Sequence, residues 1–120
     1  MESIRRIVPN INSVRMEDSR NFYTEIIGLK VAIDMGWIIT LVSPDNPTAQ
    51  ISIVKAKETG HSKQDISLTI EVADVDHVYA RAVSANIAII YPLTNEPWGV
   101  RRFHIEDPNG VVINVMSHRS

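Results

Sequence analysis

Histidines, tryptophans and small polar residues at alternate positions are the parts of this 120-residue chain that could do chemistry. There is no cysteine, so disulfides, thiolate nucleophiles and Cys-held zinc are excluded. His61 lies in a polar stretch, His77 in a helical pattern, His104 between Arg102 and Glu106, and His118 near the C-terminus. A strand histidine flanked by both charges could transfer protons near neutral pH; the other reading is an exposed residue or a surface ion pair. Glu71 is a candidate base or an anchor for a cationic ligand, or else a solvent-facing glutamate with a basic neighbour. Trp37 and Trp98 could stack on a flat ligand, and equally each could close a gap at the edge of a core. His77 reads as a solvated helix residue.

The elements that would position these groups follow from periodicity. Ile4 to Asn12 alternates apolar and polar residues, with Pro9 marking an edge or bulge. From Met16 to Ile27 the period becomes helical, with Phe22, Tyr23, Ile26 and Ile27 on one face and Gly28 as the stop. Strands are predicted at Leu29 to Asp34, Trp37 to Ser43 and Gln50 to Val54, with turns at Met35-Gly36 and Pro44-Asp45-Asn46-Pro47. A polar linker over 56–65 precedes a second series. Ile66 to Val72 is a strand, and Asp74 caps a helix whose apolar stripe is Val75, Val78, Tyr79, Ala82 and Val83. Ala88 to Tyr91, Gly99 to Glu106 and Val111 to Met116 are strands, with a turn at Asp107-Pro108-Asn109-Gly110.

Both halves therefore read strand, helix, strand, strand, strand. The predicted fold class is α+β: two βαβββ modules, about 4–55 and 66–117, in a single domain of 1–120. Each module would bury one sheet face under its helix and leave the other bare, so a curved mixed sheet with a cleft is expected. Net charge is −2 with acids and bases interspersed, which argues against nucleic acid or an anionic membrane as a partner. No apolar stretch is long enough to span a bilayer, and MESIRRIV lacks the run of a signal peptide, so a cytoplasmic location is expected.

Alternate strand residues share a face. One set is Val8, Asn10 and Asn12, then Gln50, Ser52 and Val54, then Ser67, Thr69 and Glu71, then Val112, Asn114 and Met116. The other set, Ile11, Ile51, Ile53, Leu68, Ile70, Val72, Val111, Ile113 and Val115, is the predicted core against the helices. Polar alternate residues are also what a simply solvated sheet face shows.

Three stretches resemble one known family. Glu17-Asp18-Ser19-Arg20-Asn21-Phe22-Tyr23 with Ile27-Gly28-Leu29 is similar to the segment after the first strand of vicinal oxygen chelate proteins, which include glyoxalases, bleomycin-resistance proteins and extradiol dioxygenases. Val72-Ala73-Asp74-Val75-Asp76 resembles the start of their second-module helix. Pro97-Trp98-Gly99-Val100-Arg101-Arg102-Phe103 with Asp107-Pro108-Asn109-Gly110 resembles their closing hairpin. The three lie in the family's order and cover nearly the whole chain.

Enzymes of that superfamily typically hold a divalent metal with residues of the first and last strands of each module. The resemblance places those positions at Val8, Ser52, Ser67 and Asn114. None offers an imidazole or an anion, so no metal and no other cofactor is expected. The resemblance also turns the polar set toward a cleft, which gives Asn10, Asn12, Trp37, Gln50, Ser52, Ser67, Thr69, Glu71, Trp98 and Asn114 as candidate ligand contacts. Glu71 and His104 are the candidate catalytic residues, and Arg101 is expected to brace the hairpin. The implied function is a metal-free small-molecule binder of the bleomycin-resistance type, which sequesters an antibiotic or aromatic metabolite as a homodimer. The alternatives are a glyoxalase-related lyase or isomerase, or a dioxygenase-like enzyme, with an atypical site, and a ligand-free regulatory or assembly module.

Overall fold

The change from alternation to a helical period at residue 16, and again at 75, marks the two places where the chain leaves a sheet to cover it. The computed structural model describes residues 5–56 and 66–119. Apart from Ala56, the predicted linker lies outside the described residues, as do Ile4 and His61. The chain divides into two compact units, 1–61 and 62–120.

In the first unit β1 is Asn10–Ser13. It is shorter than the predicted Ile4 to Asn12 because Pro9 has no N–H to give; its carbonyl instead accepts from the Ser52 amide at 2.9 Å. The helix α1, Met16–Asn21, has no side-chain cap at Arg15, whose own amide is taken by Ser13 Oγ at 2.9 Å. The single predicted helix changes character at Phe22 and runs as a π-helix over Phe22–Ile27. Thr24 Oγ1 donates to the Arg20 carbonyl at 2.8 Å, competing for the acceptor that an α-helical turn needs there. Phe22, Tyr23, Ile26 and Ile27 are buried, and Gly28 ends the helix at φ 99°. Then come β2 (Lys30–Asp34), β3 (Ile38–Val42) and β4 (Gln50–Lys55). The sheet order is β1-β4-β3-β2, with β1 parallel to β4 and the other pairs antiparallel. Trp37 falls outside the strand predicted for it and sits at the β2–β3 turn.

The second unit repeats the plan: β5 (Ser67–Glu71), α2 (Val75–Ser84), β6 (Ile89–Asn95), β7 (Val100–Glu106) and β8 (Val112–His118), in the sheet order β5-β8-β7-β6. Asp74 caps α2 as predicted, its carboxylate accepting from the His77 amide at 3.1 Å. β6 runs four residues past the predicted end at Tyr91, through Pro92. It is an edge strand whose pairing shifts register twice, and an edge tolerates a missing donor. β8 likewise continues to His118, placed in the tail by sequence. Both helices lie on their own sheets. The sheet faces beneath them are apolar: Ile11, Ile39, Leu41, Ile51 and Ile53 in one unit, Phe103, Ile105, Ile113 and Val115 in the other, all buried. Burying one such side chain contributes about 1.5–3 kcal/mol. Leu68 and Ile70, assigned to that core, are only half-buried.

The α+β assignment and the doubled βαβββ plan are therefore correct, as two four-stranded mixed sheets each with its own helix.

Candidate functional site

What distinguishes the two units is the sheet face turned away from the helix. In the first unit the strand register lines up Asn10, Ser52, Thr40 and Ile33 across all four strands. Ser52 is only 4% exposed, and its Oγ lies 3.4 Å from Thr40 Oγ1. The next row is Asn12, Val54 and Ile38. Neither row holds an ionisable group. Gln50, a predicted ligand contact, turns its amide to the Pro47 carbonyl at 2.9 Å and braces the preceding turn. Asn10 and Asn12 are exposed. Trp37 is 56% exposed.

In the second unit the corresponding row reads Thr69, Asn114, His104 and Tyr91. Asn114 Nδ2 donates to Thr69 Oγ1 at 3.3 Å. That leaves Asn114 Oδ1 on the side of His104, and Oδ1 and His104 Nε2 are both closed to solvent without a hydrogen-bond partner. The two residues stand opposite each other in the strand register. Burial pushes the His104 imidazole below its ordinary value of 6.5 and the Arg102 charge adds to this, against the opposing pull of Asn114 and Glu96. The His104 ring also lies 5.0 Å from that of Tyr91, tilted by 35°.

The next row is Glu71, Met116, Arg102 and Thr94. Glu71 is exposed, and its carboxylate meets His118 Nδ1 at 2.8 Å. No contact joins Glu71 to His104, so the two candidate catalytic residues are not assembled into a pair. Ser67 is exposed opposite Val112. Arg102 is the centre of a cluster with Glu96, Tyr91 and Trp98. Its Nε donates to Glu96 Oε2 at 2.8 Å, and the Tyr91 hydroxyl donates to the same oxygen at 2.9 Å. Its guanidinium carbon lies 5.3 Å from the centre of the Tyr91 ring and 5.2 Å from that of Trp98. Both distances are within reach of a cation–π contact. Glu96 is 6% exposed. The Tyr91 hydroxyl holds its carboxyl below the ordinary carboxylate range; burial opposes this, and Arg102 reinforces it. Arg119 adds a hydrogen bond to the Glu96 carbonyl at 3.1 Å. Trp98 remains 64% exposed, so one indole face meets Arg102 and much of the ring is open.

Sequence reasoning named Trp98, His104, Asn114 and Thr69 but missed Glu96 and weighed Arg102 only as a neighbour of His104. The one signal for Glu96 is an acid placed immediately before Pro97-Trp98-Gly99. Arg101 lies on the helix side: its guanidinium reaches Asp76 at 2.7 Å and Asn95 at 3.0 Å, tying α2 to β6 and β7.

The four positions at which metal ligands are expected by resemblance do not fit an ion. Val8 has no donor, Ser52 is engaged with Thr40, Ser67 is a neutral hydroxyl, and Asn114 is held between Thr69 and His104. Among the described residues no three of His, Cys, Asp or Glu stand close enough to hold a metal together.

The profile described as Glyoxalase/Bleomycin resistance protein/Dioxygenase superfamily matches residues 4–115. No curated protein matches the sequence closely enough to count as a relative. Among solved structures, a bleomycin resistance determinant encoded on the transposon Tn5 superposes with TM-score 0.77 at 15% identity, covering 98% of this chain and 100% of that one. TioX from Micromonospora sp. ML1 gives 0.76 at 16%, covering 96% and 97%. A glyoxalase/bleomycin resistance protein/dioxygenase from Nocardioides gives 0.73 at 16%, covering 100% and 87%. At these identities the likeness is one of fold.

Proposed function

Since the chain belongs to the glyoxalase, bleomycin resistance protein and dioxygenase superfamily, we propose that it is a metal-free small-molecule binding protein, which holds a planar aromatic ligand on the polar sheet face of its second unit. The observation that carries this reading is the Trp98–Arg102–Tyr91 stack fixed by the buried Glu96 carboxylate. An exposed indole costs solubility unless something uses it, and here three hydrogen bonds, one of them also an ion pair, hold its support in one place. The donor set at Val8, Ser52, Ser67 and Asn114 favours a binder over a metal enzyme. The pairing of Glu71 with His118 favours binding over catalysis by Glu71 and His104.

The role that suits such a site is sequestration of an antibiotic or aromatic metabolite in the cytoplasm, by a homodimer. Val31, Ile33, Met35 and Trp37, exposed together around the β2–β3 hairpin, favour a second copy as the dimer partner, which light scattering after size exclusion measures. Titrating planar aromatic compounds into the Trp37→Phe protein should quench Trp98 saturably, and calorimetry should show the binding lost in Trp98→Ala. Stoichiometric micromolar binding of nickel, zinc or iron would defeat the metal-free reading.

A further inference from the structure

Which planar ligands the platform accepts depends on what already occupies the other side of the indole. The Arg102 guanidinium stands 5.2 Å from the Trp98 ring centre, on the Tyr91 side, 5.3 Å from that ring. Glu96 meets it at Nε, and the same carboxylate oxygen accepts from the Tyr91 hydroxyl, so the acid of the ion pair is itself buried. The guanidinium lies within cation–π range of both rings. A cation over an aromatic face is held by the negative part of the ring quadrupole and draws electron density toward itself. The opposite face then attracts a second cation less and an electron-rich ring more. Glu71, the acid in the same row, is two strand spacings away, about 10 Å, and is paired with His118.

We propose that the Trp98 platform selects neutral or anionic electron-rich planar rings and rejects planar cations, with Arg102 as the selecting residue through its place beneath the indole. This rests on the binding reading above and narrows its ligand class to rings such as hydroxyaromatics and aromatic carboxylates.

The test uses three probes of one size: 2-naphthol, 2-naphthoate and N-methylquinolinium. Their affinities are measured by calorimetry on the full chain, on Trp98→Ala, and on the double variant Arg102→Met/Glu96→Gln. The double change leaves the buried end of the pair uncharged and retains, in the new side-chain amide, an oxygen that accepts from the Tyr91 hydroxyl. The unsubstituted protein should bind 2-naphthol and 2-naphthoate at least about tenfold more tightly than N-methylquinolinium, a gap of about 1.4 kcal/mol. In the double variant the cation should gain and the gap should close to within about threefold. Equal or tighter binding of the cation by the unsubstituted protein overturns the selection rule, as does a gap unchanged in the double variant. If all three probes bind equally and Trp98→Ala removes them, the binding reading stands and only the selection rule fails. If no probe binds, or Trp98→Ala changes nothing, the binding reading fails and the rule with it.

Discussion

The row Asn10–Ser52–Thr40–Ile33 of the first unit and the row Thr69–Asn114–His104–Tyr91 of the second occupy the same four places in the same topology. One row later, Asn12–Val54–Ile38 corresponds to Glu71–Met116–Arg102. The helix-covered faces match in character, with Ile39 and Ile53 paired in one and Phe103 and Val115 in the other. Packing thus constrains one side of each sheet to the same solution, while the other side is free to diverge. In the first unit it became hydroxyl, amide and aliphatic. In the second it gathered an imidazole, a guanidinium and a phenol, together with a buried carboxylate from the β6–β7 connection. A duplicated scaffold has concentrated its chemistry in one copy.

The sharpest way to break this comparison is at the faces said to be equivalent. Phe103→Ala and Ile53→Ala remove fully buried side chains from corresponding sheets, and each should destabilise by about 3–5 and 2–5 kcal/mol respectively in urea denaturation. A cost below about 1 kcal/mol at either position would show that the two cores are not equivalent. The helix starts differ and should respond unequally. Asp74→Ala removes the hydrogen bond to the His77 amide and should cost about 1 kcal/mol, whereas Arg15→Ala removes no cap and should change stability by under about 0.5 kcal/mol.

The polar faces should differ in their response to acid. His104 binds protons less readily folded than unfolded, since its folded value lies below 6.5. Stability is therefore fully present above pH 6.5 and falls as pH drops toward the lowered value, because the unfolded chain then takes up more protons. His104→Gln should flatten the denaturation midpoint over that window, while Thr40→Val in the corresponding place should leave the pH profile unchanged. Glu96 adds a second loss at lower pH: its folded value lies below 4.5, so its contribution is present above 4.5 and fades as pH falls through the lowered value. Glu96→Gln should remove that second step. The smallest effect belongs to the first unit. Thr40→Val gives up a contact of 3.4 Å with Ser52 and should cost no more than about 1 kcal/mol.

Much of this architecture was legible in the residues because it depends on short-range rules. Asp74 as cap, Gly28 as stop and the strict alternation of Ile66 to Val72 each have a local cause. The π-helical stretch after Asn21 was not legible, because the apolar spacing of Phe22, Tyr23, Ile26 and Ile27 suits an α-helix equally well. The extension of β6 past Pro92 was hidden because a proline reads as a break until the strand is known to be an edge. Trp98, His104 and Asn114 were named as candidates because alternation and the closing-hairpin motif mark them. Glu96 escaped because it lies between strands, where no period reports burial; only the register that brings Tyr91 and Arg102 beside it gives its carboxylate a purpose.

The central claim, that ligand recognition resides on the second unit's polar face, is tested most directly by nuclear magnetic resonance of the full chain during titration with 2-naphthol. The account predicts the largest shift at the Trp98 indole, with further shifts at Tyr91, Arg102, His104 and Asn114 and none at Asn10, Thr40 or Ser52. Saturable shifts at Asn10, Thr40 and Ser52 with the Trp98 indole unmoved would contradict it.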